Sequence, residues 1–373
     1  MNSIKEIIFS QAQIALEELE EKGYIEGGFN GPYHDQETPL RVCSHWIRIF
    51  GYCNQINPSY KYNNAVVSLA EYIVEQQYPN GTFLCRSKEG KDRTNGLIGL
   101  AWIIEGLVAA SEITKDKKYY LAGKRAFFSQ IYDMSRGLWI RVDIDNRVLG
   151  IDTTYNHQLW FAAAGGLLFS FDHDYSIGST IRHFLEHSFH TFKVYDNGLI
   201  SHFVYCDGKL FEDFQSIKRY IKEVILRRNG YPSMKYKEEG YHYFNMYGFA
   251  VLHSVFPDHP FFRSKKFRKA LNYTRDFENV IRLKNNQYRM DSSGLANTIE
   301  STCNIYGFAY NSPAFELPFI CKEFSIDNRN YTNESLFEEH MEIIYSNESG
   351  CFERNTEDSK TLTARLYELT RSI

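Results

Sequence analysis

Two kinds of apolar segment alternate along the chain. One kind is one-sided: from Tyr62 to Gln76, Ala65, Leu69, Tyr72 and Ile73 fall on one helical face while Glu71 and Glu75 point away. Lys117 to Tyr132, Ile181 to Phe192 and Phe214 to Arg227 follow the same pattern. The other kind is apolar on every side and rich in small residues, as in Asn95-Gly-Leu-Ile-Gly-Leu-Ala101 and Asn156-His-Gln-Leu-Trp-Phe-Ala162. Asn245-Met-Tyr-Gly-Phe-Ala250 and Asn304-Ile-Tyr-Gly-Phe-Ala309 share a tighter form of it. A helix apolar all round is buried on every side, and a one-sided helix covers it and faces water. Small residues let the buried helices approach one another closely.

A turn signal returns about every 45 to 60 residues, at Gly28-Phe29, Gly81-Thr-Phe83, Gly137-Leu-Trp139, Gly198-Leu-Ile200, Gly230-Tyr231, Asn286-Gln-Tyr288 and Gly350-Cys-Phe352. A polar loop follows each, then in most units a small-residue helix. Two concentric rings of helices satisfy this order. The expected fold is all-α: one (α/α)6 or (α/α)7 toroid over residues 1–373, with short strands and turns at one rim. Open helical solenoids have shorter, more regular repeats.

Composition narrows the function. Aromatic residues make up 16% of 373 residues, enough for large core side chains and for a pocket wall that stacks on sugar faces. A formal net charge of −4 offers no basic face for nucleic acid. The one basic stretch, Arg263 to Lys269, reads as a solvated helix start. No run is expected to reach the roughly 18 apolar residues of a membrane-spanning helix. The first residues lack the pattern of a secretory signal. Seven scattered cysteines without a CxxC pair suit reduced thiols, so a cytoplasmic location is expected, with no metal and no cofactor.

In a toroid the loops ahead of the inner helices open on one rim, where unpaired N–H groups and the helix dipole favour polar ligands. Those positions hold Tyr33-His-Asp35, Arg41 with His45 and Trp46, Asp92-Arg93-Thr-Asn95, Asp152-Thr-Thr-Tyr155-Asn156-His157 with Trp160, Glu238 to His242 with Asn245, Glu300 with Asn304, and Glu357-Asp358. Asp and Asn there also act as helix caps. Caps do not require His and Arg beside them. Asp152, Asp92 and His157 are the catalytic candidates. A carboxyl against Trp139, Trp160 or Trp102 would be raised toward neutrality and serve as an acid. His45, His157 and His242, at matching depth, would instead move a proton on a sugar. Arg41, Arg93 and Arg289 would clamp a carboxylate or phosphate. Arg41, His45, Trp46, Arg93, Asn95, Tyr155, Asn156, Trp160, His242, Asn245, Glu300 and Asn304 are the expected substrate contacts.

Asp92-Arg-Thr-Asn-Gly-Leu-Ile-Gly-Leu-Ala-Trp-Ile-Ile-Glu-Gly-Leu107 resembles an inner helix of the unsaturated glucuronyl hydrolases and the N-acylglucosamine 2-epimerases. Asp152-Thr-Thr-Tyr-Asn-His-Gln-Leu-Trp160 is similar to the helix start whose Asp those hydrolases use as acid/base. The hydrolases' further Asp signature and the epimerases' complete histidine set are not found. Gln77-Tyr-Pro-Asn-Gly-Thr-Phe83 is similar to a turn of terpene cyclases and prenyltransferases, whose acidic motif is missing. The resemblance implies a carbohydrate-active enzyme, with a glycoside hydrolase acting on a uronic or amino sugar as the first expectation and bacterial surface-polysaccharide metabolism as a setting. A sugar epimerase using histidine is the alternative, and a non-catalytic glycan-binding or scaffold protein is the other. The expected partner is a saccharide, with neither nucleic acid nor membrane, and a homodimer is compatible with this reading.

Overall fold

The small-residue segments form an inner ring in a computed structural model, which describes residues 3–29, 31, 34–205, 233–286, 304–308, 310–327 and 333–373. In chain order the elements are α1 (Ile4–Lys22), α2 (Leu40–Ile56), α3 (Tyr60–Glu75), α4 (Gly96–Thr114), α5 (Lys117–Phe128), a hairpin sheet of β1 (Ile131–Asp133), β2 (Leu138–Val142) and β3 (Val148–Ile151), then α6 (Tyr155–Asp172) and α7 (Tyr175–Thr191). There follow α8 (Ser233–Val255), α9 (Lys265–Arg275), α10 (Glu278–Asn285), α11 (Pro313–Glu323), α12 (Asn333–Ile344), α13 (Ser359–Ala364) and a C-terminal 3-10 helix (Arg365–Arg371).

The packing order runs α2, α4, α6, α8, α11 and the C-terminal 3-10 helix, which returns to α2. Six inner elements therefore close a ring among the described residues. Outside it, α1 and α3 lie on α2, α5 on α4, α7 on α6, α9 on α8 and α12 on α11. The fold is the all-α toroid that the alternation of helix types predicts, and one contiguous core runs from Ile7 to Leu369. Its inner helices meet at glycines. A β-carbon on Gly106 of α4 would lie 2.7 Å from the Ser44 side chain of α2, and one on Gly248 of α8 would lie 3.2 Å from Leu159 of α6.

Helix α4 corrects one expectation. At 19 residues it is long and apolar enough to cross a membrane, but 89% of its apolar window is buried inside the ring, where the fold accounts for it. The strands take over the end of the expected Lys117–Tyr132 helix: α5 stops at Phe128, and Ile131 to Asp133 pair antiparallel with Leu138 to Ile140. Gln158 of α6 ties this sheet to the ring. Its side-chain amide accepts from Trp139 N (2.9 Å) and donates to Trp139 O and Asp152 O (both 2.9 Å).

A second correction concerns the Asn-x-Tyr-Gly-Phe-Ala pair. Asn245 lies in the middle of α8, whereas Asn304 to Phe308 form a turn ahead of α11. The turn is held by its own polar groups: Asn304 Oδ1 accepts from Tyr306 N (2.9 Å) and its Nδ2 donates to Tyr236 O (2.9 Å). Gly240 lets it press on α8, since a β-carbon there would meet Tyr306 O at 2.3 Å. The expected Phe214–Arg227 helix and the Gly230-Tyr231 turn lie outside the described residues, as do Tyr33, Arg289 and Glu300.

The helix contacts separate two glycine substitutions. Gly106→Ala must push Ser44 and its backbone away, and should destabilise by about 1–3 kcal/mol, as overpacking does. Gly123→Ala, whose β-carbon would find its nearest neighbour at 3.5 Å, should be neutral or stabilise by roughly 0.5–1 kcal/mol. Urea midpoints of the two variants against the parent chain check both.

Candidate active site

The first turns of α2, α4 and α6 meet at one mouth of the ring, and the hairpin sheet delivers Asp152 there. Asp152 leaves β3 buried and accepts three hydrogen bonds. Thr154 N donates to Oδ1 at 3.1 Å, and Leu97 N, in the first turn of α4, donates to Oδ2 at 3.2 Å. His157 Nδ1 is 2.8 Å from the same Oδ2. Gly96, with φ +65°, makes room, because a β-carbon there would stand 2.5 Å from His157 Nδ1 and 2.6 Å from Asp152 Oδ2.

Burial alone would push the Asp152 carboxyl up, but the neighbouring His157 ring and Arg141 outweigh it and hold the group well below the usual carboxylate range. Its environment is thus the reverse of the one that the nearby tryptophans suggest. Trp139 is turned into the outer layer against Phe127, Phe161 and Phe184. Trp160 stacks on Phe244, 4.6 Å between centroids, and donates to Phe244 O. An ionised Asp152 accepts the Nδ1 proton of His157, which leaves Nε2 as the ring nitrogen not engaged by the carboxylate.

Asp92 sits beside this pair. Its Oδ1 accepts from Gly96 N at 2.5 Å, and its Oδ2 accepts from Arg86 (2.9 Å) and Arg141 (3.2 Å). Arg86 also donates to Asn95 Oδ1 (2.8 Å), and Asn95 Nδ2 donates to Glu37 Oε1 (2.9 Å). Glu37 is buried and takes Arg41 Nη1 at 3.0 Å; burial pushes its carboxyl up, against the pull of Arg41. The Arg41 guanidinium in turn lies 3.7 Å over the Trp102 ring. Sequence reading missed Glu37, Arg86 and Arg141. The spacing of Glu37 and Arg41, four residues apart at a helix start, is the one available signal for them.

The remaining candidates divide. Arg93 faces away from the mouth and binds Asp143 and Asp145 of the β2–β3 turn. Trp46 packs on Phe50 in the core, and Tyr155 packs between Phe192 and Phe249. The three histidines do not share a depth. His242 points to the outer ring, bonds Thr274 Oγ1 at 3.0 Å, and is pulled down to about 3 by burial. His45 lies inside the ring, stacked on Tyr367. Asn156 and Asn245 are buried, each with an unpartnered Oδ1 among the described residues. Asn304 is tied into its turn, and Asp358 caps α13 through Thr361 N at 3.2 Å while accepting from Phe29 N at 2.9 Å. Glu238 accepts from Tyr195 Oη and His202 N. Among the described residues, no group of three His, Cys, Asp or Glu could hold a metal ion.

No family model matches the chain. It is 31% identical over 382 residues to archaeal glycosylation protein Q of Haloferax volcanii, covering 100% of this chain and 98% of that protein. Three solved structures show the same fold over nearly the full length. A sugar epimerase from a ruminal bacterium has a TM-score of 0.64 at 12% identity, over 99% of this chain and 98% of its own. The cellobiose 2-epimerase of Spirochaeta thermophila reaches 0.59 at 11%, over 99% and 97%. An unsaturated glucuronyl hydrolase specific for heparin reaches 0.59 at 10%, over 99% and 96%. The resemblance read from the inner-helix motifs therefore holds for the fold.

The three bonds on Asp152 generate a test of stability. Asn caps helices well, yet its single oxygen cannot serve both Thr154 N on one side and Leu97 N with His157 on the other. Asp152→Asn should destabilise at pH 7 by roughly 1–3 kcal/mol, the cost of unsatisfied buried donors. The carboxyl's folded pKa lies below the unfolded value of about 3.9, so its stabilisation is full above that pH and fades as the pH falls toward the folded value. Denaturant titrations of parent and variant should give a gap that narrows below about pH 4.

Proposed function

The chain belongs to the family of archaeal glycosylation protein Q, and we propose that it is a sugar-processing enzyme acting on a saccharide of a glycosylation process. We assign its proton transfer to His157, with Asp152 as the group that orients and charges it. The 2.8 Å contact between His157 Nδ1 and Asp152 Oδ2 carries this reading. A carboxylate on Nδ1 selects the tautomer whose Nε2 is a base, and stabilises the imidazolium after that nitrogen takes a proton. His157 is also partly open to solvent at the mouth. It removes a proton from the carbon beside the carbonyl of an open-chain sugar, and the C–H electron pair moves into the carbonyl to give an enediolate. Return of that proton from His157 to the neighbouring carbon, as a proton passes between the two oxygens, completes an isomerisation; an epimerisation follows when the enediolate turns its other face to His157 before the proton returns to the same carbon.

A second reading, glycoside hydrolysis, is favoured by one observation. Asp92 and Asp152 accept from the consecutive amides of Gly96 and Leu97, which sets two carboxyl groups side by side at the end of α4. Hydrolysis of a glycosidic bond usually employs such a pair. It also requires one of them to donate a proton, and Asp152 is held ionised. That weighs toward the histidine.

Turnover of a saccharide panel in D2O separates the two. Proton transfer at carbon places deuterium on the sugar without new reducing ends; hydrolysis releases reducing ends and leaves carbon-bound hydrogen untouched. His157→Gln should lower turnover by about 100-fold or more, the scale of a positioned acid or base. A fully active, folded His157→Gln chain would remove His157 from the mechanism. Saccharide binding without turnover on any substrate would favour the glycan-binding reading.

A further inference from the structure

One guanidinium beside the Asp152–His157 pair is left over when the charges around it are matched. Arg141 stands on β2 and faces Gly150 of β3 across the ladder. Asp152 lies two residues beyond Gly150, and its N–H still bonds Trp139 O at 3.4 Å. Arg141 and Asp152 are therefore diagonal neighbours on one side of the sheet, a spacing of roughly 7–8 Å that a long side chain can span. The Arg141 charge and the His157 ring both act on the Asp152 carboxyl. The space beside Arg141 is open, because a β-carbon on Gly150 would meet nothing within 4 Å. The Arg141 side chain is 25% exposed and that of His157 24%, whereas Asp152 is 5% exposed. These two side chains form the accessible edge of the site, and Asp152 lies beneath them.

Among the described residues, Arg141 makes one hydrogen bond, from Nη1 to Asp92 Oδ2 at 3.2 Å, and its Nε has no partner. Asp92 does not depend on that bond. Arg86 reaches the same oxygen at 2.9 Å, and Gly96 N donates to the other at 2.5 Å. Asp35, 3.5 Å from Arg86, has Lys88 and Lys91 as further partners. With Arg86 set against Asp92, Arg141 is the cation that balances Asp152 before any proton moves. Once His157 takes a proton, its imidazolium sits 2.8 Å from Asp152 Oδ2 and becomes the partner of that carboxylate. Arg141 then lacks an opposite charge at the moment when a negative charge forms on the sugar. A purely structural role as one more partner of Asp92 explains neither this surplus nor the exposure of the side chain.

We propose that Arg141 is a second catalytic residue, the electrophile that holds the enediolate oxygen while His157 carries the proton. The inference rests on the proton-transfer reading of the site and supplies the group that this reading lacks. The step balances without a further reagent. As His157 Nε2 takes the proton, the C–H pair becomes a carbon–carbon double bond, and the carbonyl π pair moves onto oxygen, where an Arg141 N–H donates to it. When His157 gives the proton back to the same carbon, the oxygen pair re-forms the carbonyl. A donor placed in advance where negative charge develops is worth about 100- to 1000-fold in rate.

Deuterium uptake from D2O, followed by proton NMR on the full chain, tests it, with D-mannose, D-galactose, N-acetyl-D-glucosamine and D-glucuronate as probes. The parent should exchange the hydrogen beside the carbonyl of at least one probe. On that probe two charge-removing variants, Arg141→Gln and Arg141→Met, should each lower kcat about 100-fold or more, with KM within about threefold of the parent. Millimolar guanidinium chloride should restore part of the rate to Arg141→Ala and none to His157→Gln. The loss should be as large at alkaline as at neutral pH, since an effect relayed only through the ionisation of Asp152 would fade there. Arg93→Gln removes the guanidinium that faces away from the mouth, and it should exchange at the parent rate. The parent rate in either charge-removing variant, a loss that vanishes at alkaline pH, or an equal loss in Arg93→Gln would overturn the role of Arg141 alone. A parent chain that labels none of the probes would overturn the proton-transfer reading and Arg141 with it.

Discussion

The ring of helices closes where its C-terminal 3-10 helix packs between α11 and α2, and a single buried guanidinium ties that last element to α11. Arg365 donates to Tyr310 O (3.1 Å) and Asn311 Oδ1 (3.0 Å) ahead of α11, binds Glu316 within it, and holds Glu368 one turn further along its own helix. Two carboxyl groups share one cation. Burial pushes both upward, while Arg365 pulls them back. Breaking such a buried pair leaves an uncompensated charge, which costs about 3–5 kcal/mol. The chain ends reinforce the closure: Gln11 of α1 donates to Gly350 O at 2.6 Å, and Phe29 N donates to Asp358.

Closure has a chemical consequence, because it turns the first turns of α2, α4 and α6 toward one mouth. The beginning of an α-helix carries free N–H groups and a partial positive charge, so carboxylates gather there. Two of them do, on the amides of Gly96 and Leu97 at the start of α4. One of these, Asp152, comes from the neighbouring unit and reaches across. Its position at a helix end that is not its own makes it a strong acceptor, and His157 is the side chain that answers it.

The interior is otherwise balanced in charge. Arg41 pairs with Glu37, Arg86 with Asp92, Arg365 with Glu316 and Glu368, and Arg371 with Glu105. The same pairing explains why so many ionisable residues are tolerated in the core, since these desolvated charges meet opposite ones at close range.

Sequence by itself determined the architecture and two members of the candidate site, without their contact. The alternation of all-round apolar segments with one-sided ones is a consequence of burial, so α4 and α6 inside and α3, α5 and α7 outside were legible in it. Asp152 and His157 were legible too, five residues apart across a helix start. Tertiary structure alone decided how the other polar residues are used. His242 and His45 occupy comparable sequence settings, yet one faces Thr274 of α9 and the other Tyr367 of the C-terminal 3-10 helix, because the two helices turn different sides to their neighbours. The same motif became mid-helix at Asn245 and a turn at Asn304, where side-chain bonds to Tyr306 and Tyr236 compete with helical ones. Arg93 went to Asp143, 50 residues along the chain, and Asn95 to Glu37, 58 residues back. Such pairings depend on which loops the closed ring brings together. The charge state of Asp152 depends on them as well, since it follows from His157, Arg141 and Thr154 and not from the tryptophans nearest to it in sequence.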